Sequence, residues 1–328
     1  MELLDKYFKV LNDGFISLKD YMGSDEDIEQ AARISYGKGT RQTSDTKNLL
    51  RYLMRHYHST PTEMCELKFH IRAPIYVFRQ WHRHRTWSYN EYSGRYSEMI
   101  DSMEQTKEWR TQSTSNKQGS SGLVENWPNN ESVNTFGIAK TPQEYLSFVE
   151  EQYQKNSTTV YQERLKFGVA KEQARKDLPV SNYSEMYAKV DLKNLLHFMS
   201  LRSDSHAQLE IREYSNIICG IVQQLFPITF EAWYDYSFAA STLSRLDKQM
   251  INHIMFYTQE YFIGSRNILS ILQLKEIYEE NKDIFHETIG MSKRELEEFW
   301  NKFDIPEIQS FSLENKELYI NNTSGTPV

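Results

Sequence analysis

A chain of 328 residues is long enough for one large or two moderate domains with a substantial buried core, which excludes a peptide-sized module. Its 38 basic and 45 acidic residues leave a net charge of -7, so the surface as a whole is not that of a nucleic-acid-coating protein and any anion site must be local. Two distant cysteines, Cys65 and Cys219, make neither a disulfide framework nor a metal knuckle, and no apolar run approaches the roughly 20 residues that span a bilayer; a cytoplasmic protein without a membrane segment is expected.

In chain order, Ser24 with Asp27 forms a capping box that opens a helix through Ala31 and Ala32, and the chain turns at Gly37 and Gly39. Leu49, Leu50, Leu53, Met54 and Tyr57 share one face of a second helix that Pro61 blocks. Leu67 to Arg72 alternates apolar and polar residues and predicts a strand, after which Pro74 starts a short helix carrying Val77, Phe78 and Trp81. Residues 103–134 are rich in Ser, Thr, Asn, Gln, Lys and Gly and predict a long polar loop, either a surface insertion or an active-site cover. Thr141, Pro142 and Glu144 then start a helix that runs to Phe167 and breaks at Gly168. A short helix holds Arg175 and stops before Pro179, and residues 182–190 predict a strand. Two helices follow, striped by Leu192, Leu195, Leu196 and Met199 and by Tyr214, Ile217, Ile218, Ile221, Val222 and Leu225. From Thr242 the tail is again helical, with a capping box at Ser292 and Glu295. The expected class is α+β: mixed helices around a small antiparallel sheet, with a core over residues 1–238, a polar insertion at 103–134, and a helical C-terminal extension over 239–328.

The chemistry concentrates between Arg72 and Arg95. Five arginines (Arg72, Arg79, Arg83, Arg85, Arg95) face one acid, Glu91, so this window is about +4 in a negative protein. Arginine grips phosphate through a planar fork of donors, and the interleaved Trp81, Trp87, Tyr89, Tyr92 and Tyr96 offer flat faces for ring stacking. Ser93-Gly94-Arg95 adds a hydroxyl, a position without Cβ and another guanidinium. Together these describe a pocket for a phosphorylated heterocycle. The bland alternative, arginines laced into surface ion pairs, is disfavoured because one local acid cannot balance five. His56 with His58 and His82 with His84 lack the carboxylate or cysteine partners of a metal site, so no metal is expected. A single-stranded nucleic-acid binder also interleaves arginine with aromatics, but the restricted window and acidic balance weigh against it.

The run from Gln80 to Ser97, with Arg83-His84-Arg85 followed after seven residues by Ser93, resembles the signature of flavin-dependent thymidylate synthases. Residues 31–37 (AARISYG), His58-Ser59-Thr60-Pro61 with Glu63, Arg175 before Leu178-Pro179, and residues 201–208 (LRSDSHAQ) match further landmarks of that family in order. The resemblance covers roughly residues 15–100 and 140–236. It implies reductive methylation of dUMP with methylenetetrahydrofolate as carbon donor, FAD as cofactor, NADPH as its reductant, and a homotetramer with shared active sites. By the same resemblance Gln80, Trp81, His82, Arg83, Glu91, Tyr92, Ser93, Gly94, Arg95, Arg175 and Arg202 would hold dUMP, with Arg202 catalytic. Ser35, His58, Thr60, Arg83, His84, Arg85, Glu91, Asp191, Lys193 and His197 would hold FAD. By the resemblance Asp191 stands where members of the family usually carry Asn, and a carboxylate there would repel the cofactor's phosphates unless it faces the sugar or adenine. A flavoprotein of the same fold acting on another nucleotide, or an inactive relative, remains the second alternative.

Overall fold

The computed structural model describes residues 3–35, 45–114, 119–128, 137–252, 293–303, 311, 313 and 316–318. The chain divides into two compact units, one of Met1–Trp233 with Phe311–Val328 and one of Tyr234–Ser310.

The first unit is α+β. Its sheet has the strand order β1-β2-β3-β7-β4, built from β1 (Tyr7–Val10), β2 (Gly14–Met22), β3 (Glu66–Pro74), β4 (Ser88–Glu91) and β7 (Tyr183–Asp191), with every pairing antiparallel. The alternation predicted for β3 has its physical cause in the pleat: Leu67, Phe69, Ile71 and Ala73 are all fully buried. Pairing aligns Phe69 with Leu18 and Ala188, and Ile71 with Ile16 and Met186, so one continuous apolar face forms. That face carries α3 (Ile75–Trp81), α6 (Leu192–Arg202) and α7 (Leu209–Leu225). The opposite face brings His70 and Arg72 of β3 beside Glu185 of β7, with His70 Nε2 2.8 Å from Glu185 and Arg72 bonded to Asp13.

Helix starts follow their local signals closely. Ser24 caps α1 (Asp25–Arg33), and Thr141 makes a complete capping box with Glu144 at the head of α4 (Pro142–Lys166). Asp25 is buried and takes the amides of Ile228 and Thr229 at 2.8 and 3.1 Å, which closes the start of α8 (Pro227–Trp233). α2 (Thr46–Arg55) ends earlier than the apolar spacing predicts. Tyr57 turns left-handed at φ 60° and stands 81 % exposed, so it belongs to no helical face, and Pro61 instead sits in a 3-10 turn, Thr60–Met64.

The described residues of the polar segment after Met103 hold more regular structure than composition predicts. β5 (Arg110–Gln112) and β6 (Ser120–Leu123) form a hairpin, and α4 grips the segment before it: Glu150 accepts from the Thr106 amide and hydroxyl at 2.9 Å, and Ser147 from Trp109 Nε1 at 3.0 Å. Such side-chain anchors carry no apolar periodicity, which is why the strands escape a pattern search.

Phe311 and Leu313 are buried against α7, where Gly220 leaves no room for a Cβ between the helix and the Phe311 carbonyl. In the second unit residues 245–252 and Lys293–Asn301 are helical, and Asp247 pairs with Lys302. The capping box expected at Ser292, and the turn at Gly37 and Gly39, lie outside the described residues.

Candidate functional site

α3 is short, and Trp81 at its end is fully buried against Phe198 (4.8 Å), Trp87 (5.9 Å) and Tyr214 (6.0 Å). This corrects one expectation, because a ring enclosed by four aromatic neighbours is not offered to a nucleotide; Phe78, 6.5 Å away, is the fourth. Trp81 anchors the turn from which His82, Arg83 and Arg85 emerge exposed. The Tyr89 hydroxyl holds that turn, 3.1 and 2.9 Å from the carbonyls of Trp81 and His84.

His84 turns inward. It is 7 % exposed, packs on Phe198 at 4.8 Å and lies 6.1 Å from His197. Its Nε2 accepts from Arg202 Nε at 3.0 Å, so the ring's hydrogen resides on Nδ1. Burial, then the Arg202 charge and His197, pull the imidazole down to about 4, and it is neutral throughout the physiological range. Arg202, at the end of α6, also donates to the Gln80 carbonyl at 3.4 Å. Burial and the nearby Arg83 hold its guanidinium below the usual arginine range. Arg79, Arg83, Arg85, Arg175 and Arg202 take part in no ion pair with a carboxylate among the described residues.

A second group forms along β4 and the loop beyond it. Glu91 accepts from Ser184 Oγ at 2.8 Å and lies 4.0 Å from His82 Nε2. The Tyr92 amide donates to the Glu185 carbonyl at 2.8 Å, and its hydroxyl donates to the Glu98 carbonyl. Ser93 Oγ accepts from the Arg95 amide at 3.4 Å, and its carbonyl takes the amides of Tyr96 and Ser97. Gly94 is buried, and a Cβ there would run into Met99 and the Arg175 side chain. Its missing side chain makes room for neighbours within the chain, one of them a predicted site arginine. Arg95 finds an acid after all, Glu172 at 3.3 Å, and Arg72 is claimed by Asp13 and Glu185. Five arginines against one acid was a local count, and acids from distant segments reduce the uncompensated set.

The third group surrounds the 3-10 turn. His58 stacks on Tyr52 at 6.0 Å and 18°, Thr60 opens the turn, and Lys193 of α6 reaches Glu63 at 3.3 Å. Ser35 is exposed beyond the end of α1, and His197 is exposed on α6 beside His84.

Residues 17–228 match the family described as thymidylate synthase complementing protein. The chain belongs to that family. Among relatives named flavin-dependent thymidylate synthase, that of Rickettsia typhi is 39 % identical over 300 residues, covering 90 % of this chain and 93 % of its own. That of Ehrlichia ruminantium strain Gardel is 44 % identical over 257 residues (75 and 81 %), and that of Dictyostelium discoideum 43 % over 256 (74 and 78 %). A crystal structure of the UMP/dUMP methylase PolB from Streptomyces cacaoi with 5-Br UMP superimposes with a TM-score of 0.57 at 31 % identity, covering 70 % of this chain and 97 % of that one.

Within this flavin-dependent thymidylate synthase family member, the carboxylate at position 191 has a local role. Asp191 is the N-cap of α6: its carboxylate accepts from the Asn194 amide at 2.9 Å and from Asn194 Nδ2 at 2.6 Å, so its charge is spent on a helix N-terminus. Both cysteines are buried, and burial raises their thiols to about 11 for Cys65 and about 12 for Cys219, far from a nucleophilic thiolate. Among the described residues no His, Cys, Asp or Glu group is arranged to hold a metal ion, and no helix is long and apolar enough to cross a membrane.

One neighbour of the site was missed from sequence. Gln80 Nε2 donates to Gln208 Oε1 at the head of α7, a partner that local pattern cannot reveal. Gln208 also borders a cavity of about 460 Å³ walled by Glu104, Arg110, Glu150, Gln154 and Glu210. Burial, then Glu150 and Glu210, raise the Glu104 carboxyl to about 7. Arg110 is taken by Glu210 at 2.7 Å, so this acid-walled space does not suit phosphate.

Proposed function

We propose that this chain converts dUMP to dTMP by reductive methylation, with methylenetetrahydrofolate as carbon donor and NADPH-reduced FAD as hydride source. The observation that carries the reading is Arg202: half-buried, beside Arg83, held by a neutral imidazole, and paired with no carboxylate among the described residues. Uracil C5 is a weak nucleophile, and a charge held ready near the ring stabilises the anionic character that activates it. Of the five N–H donors of the guanidinium, one goes to His84 and one to the Gln80 carbonyl, which leaves donors for the uracil edge. On this reading Arg95, Arg175 and the Ser93 hydroxyl would take the phosphate of dUMP, with Gln80, His82, Glu91 and Tyr92 as further contacts; Arg175 lies against Gly94, between Ser93 and Arg95, and His82 lies 4.0 Å from Glu91.

The chain fits a flavin dinucleotide. Arg83 and Arg85 are exposed guanidinium groups with no ion-pair partner among the described residues, and the His58 ring lies flat against Tyr52, with Thr60, Lys193 and His197 nearby on the 3-10 turn and α6. Bound there, FAD would supply the hydride. The high thiols remove the cysteine route to C5 activation, which is consistent with the flavin route. Assembly as a cytoplasmic homotetramer with shared sites belongs to the same reading.

Purified protein should show flavin absorption. With dUMP, methylenetetrahydrofolate and NADPH together it should form dTMP, measured by chromatography. Flavin-loaded protein that yields no dTMP would overturn the reaction, and a monomeric mass in light scattering would overturn the assembly.

A further inference from the structure

Several arginines in this molecule are held by carboxylates. Arg72 is held by Asp13 and Glu185, Arg95 by Glu172 and Arg110 by Glu210. Arg202 belongs with the arginines that have no carboxylate partner among the described residues, and its Nε–H goes to a histidine nitrogen. The distinction is physical. An arginine side chain has many rotamers and needs a fixed partner if its fork is to be aimed. A carboxylate would aim it but cancel the charge that an activating group must present. A protonated imidazole would repel it. A neutral imidazole is the acceptor that fixes the direction and leaves the charge intact.

The surroundings keep His84 in that form. Phe198 covers the ring, the charged and titratable groups against it are Arg202 and His197, and burial holds it unprotonated down to about pH 4. Within the reaction proposed above, on which this rests, we infer that His84 is the positioning residue for Arg202: its Nε2 fixes the guanidinium through the Nε–H and leaves to the nucleotide the terminal N–H donors that the Gln80 carbonyl does not take. The resemblance would instead give His84 to the flavin.

Two substitutions separate these roles. Glutamine extends an acceptor oxygen to about the reach of Nε2, whereas asparagine's stops near the place of Nδ1. In the full-length flavin-loaded protein, His84→Gln should keep at least about a tenth of wild-type kcat. His84→Asn should lose about 100-fold, approaching Arg202→Ala, with the flavin-to-protein absorbance ratio unchanged in both. Combined with Arg202→Ala, His84→Asn should cost nothing further, because both changes remove one interaction. Equal losses for Gln and Asn, flavin lost in step with activity, or costs that multiply in the double variant would overturn the inference. A readout independent of turnover is solvent exchange of the Arg202 Nε–H by nuclear magnetic resonance. It should be slow in wild type and His84→Gln and fast in His84→Asn; fast exchange in wild type would overturn the assignment. Wild type that forms no dTMP but shows this exchange pattern would sink the reaction and leave the positioning contact standing.

Discussion

His70 and His84 are both buried imidazoles on or next to one sheet, yet they live in opposite electrostatic worlds. His70, on the face of β3 away from the helices, donates its Nε2–H to the Glu185 carboxylate and lies under the Tyr187 ring, 4.8 Å away and parallel. Beside it Arg72 is held by Asp13 and Glu185. His84, at the turn after α3, faces Arg202 with no carboxylate in the pair. The same residue types therefore make a closed, compensated network on one side and an open, cationic one on the other. Arginine count alone does not mark a site; arginine left unneutralised does.

Breaking the cationic side should give the largest effect. Arg202→Ala should fold normally and lose roughly 10²- to 10³-fold in dTMP formation, measured as kcat/KM for dUMP. Near-wild-type turnover would erase the contrast between the two networks.

Next comes the mirror image, the acid-walled cavity. Between about pH 4.5 and 7 the unfolded chain releases the Glu104 proton while the folded chain keeps it, so this group costs stability as pH rises through that window and no more above it. Glu104→Gln removes the cost. Relative to wild type it should gain up to about 3 kcal/mol between pH 4.5 and pH 8, read from denaturant unfolding. A constant difference across that range would mean Glu104 ionises normally.

On the compensated side, Arg72→Met should cost about 2 kcal/mol of stability, between the values for buried and exposed pairs, because Asp13 and Glu185 lose their partner. Turnover per folded molecule should hold; if it falls as in Arg202→Ala, the two sides are not separate. The smallest effect tests compensation by backbone. Asp191→Ala should cost about 1 kcal/mol through loss of the α6 cap, whereas Asp191→Asn should stay within about 0.5 kcal/mol, with flavin content unchanged. Flavin that binds more tightly in Asp191→Asn would show that the carboxylate does repel the cofactor.

What was legible in the sequence is what short-range physics decides. Ser24 and Thr141 cap helices because their hydroxyls meet amides three residues on, and β3 alternates because its pleat must. Asp191 obeys the same rule with Asn194, a cap legible from residues three apart. The errors at Trp81 and Arg72 share another cause. An aromatic and an arginine in a basic window look like ligand groups, and only the fold brings Phe198 and Tyr214 around one and Asp13 and Glu185 around the other. The hairpin of β5 and β6 was hidden because polar side chains of α4 hold the segment that leads into it. The Arg202 contact with His84 joins positions too far apart for any spacing rule.

The glycine notch on α7 bears on how the chain is made. Phe311 and Leu313 fill it from the far side of the second unit in chain order, while most of their own unit precedes Tyr234. A ribosome will have emitted the sheet and its helices long before the plug for the notch appears. The nascent unit must wait, seam open, until Phe311 and Leu313 emerge, so a premature stop anywhere before Phe311 leaves a product with an unsealed apolar groove for quality control to find.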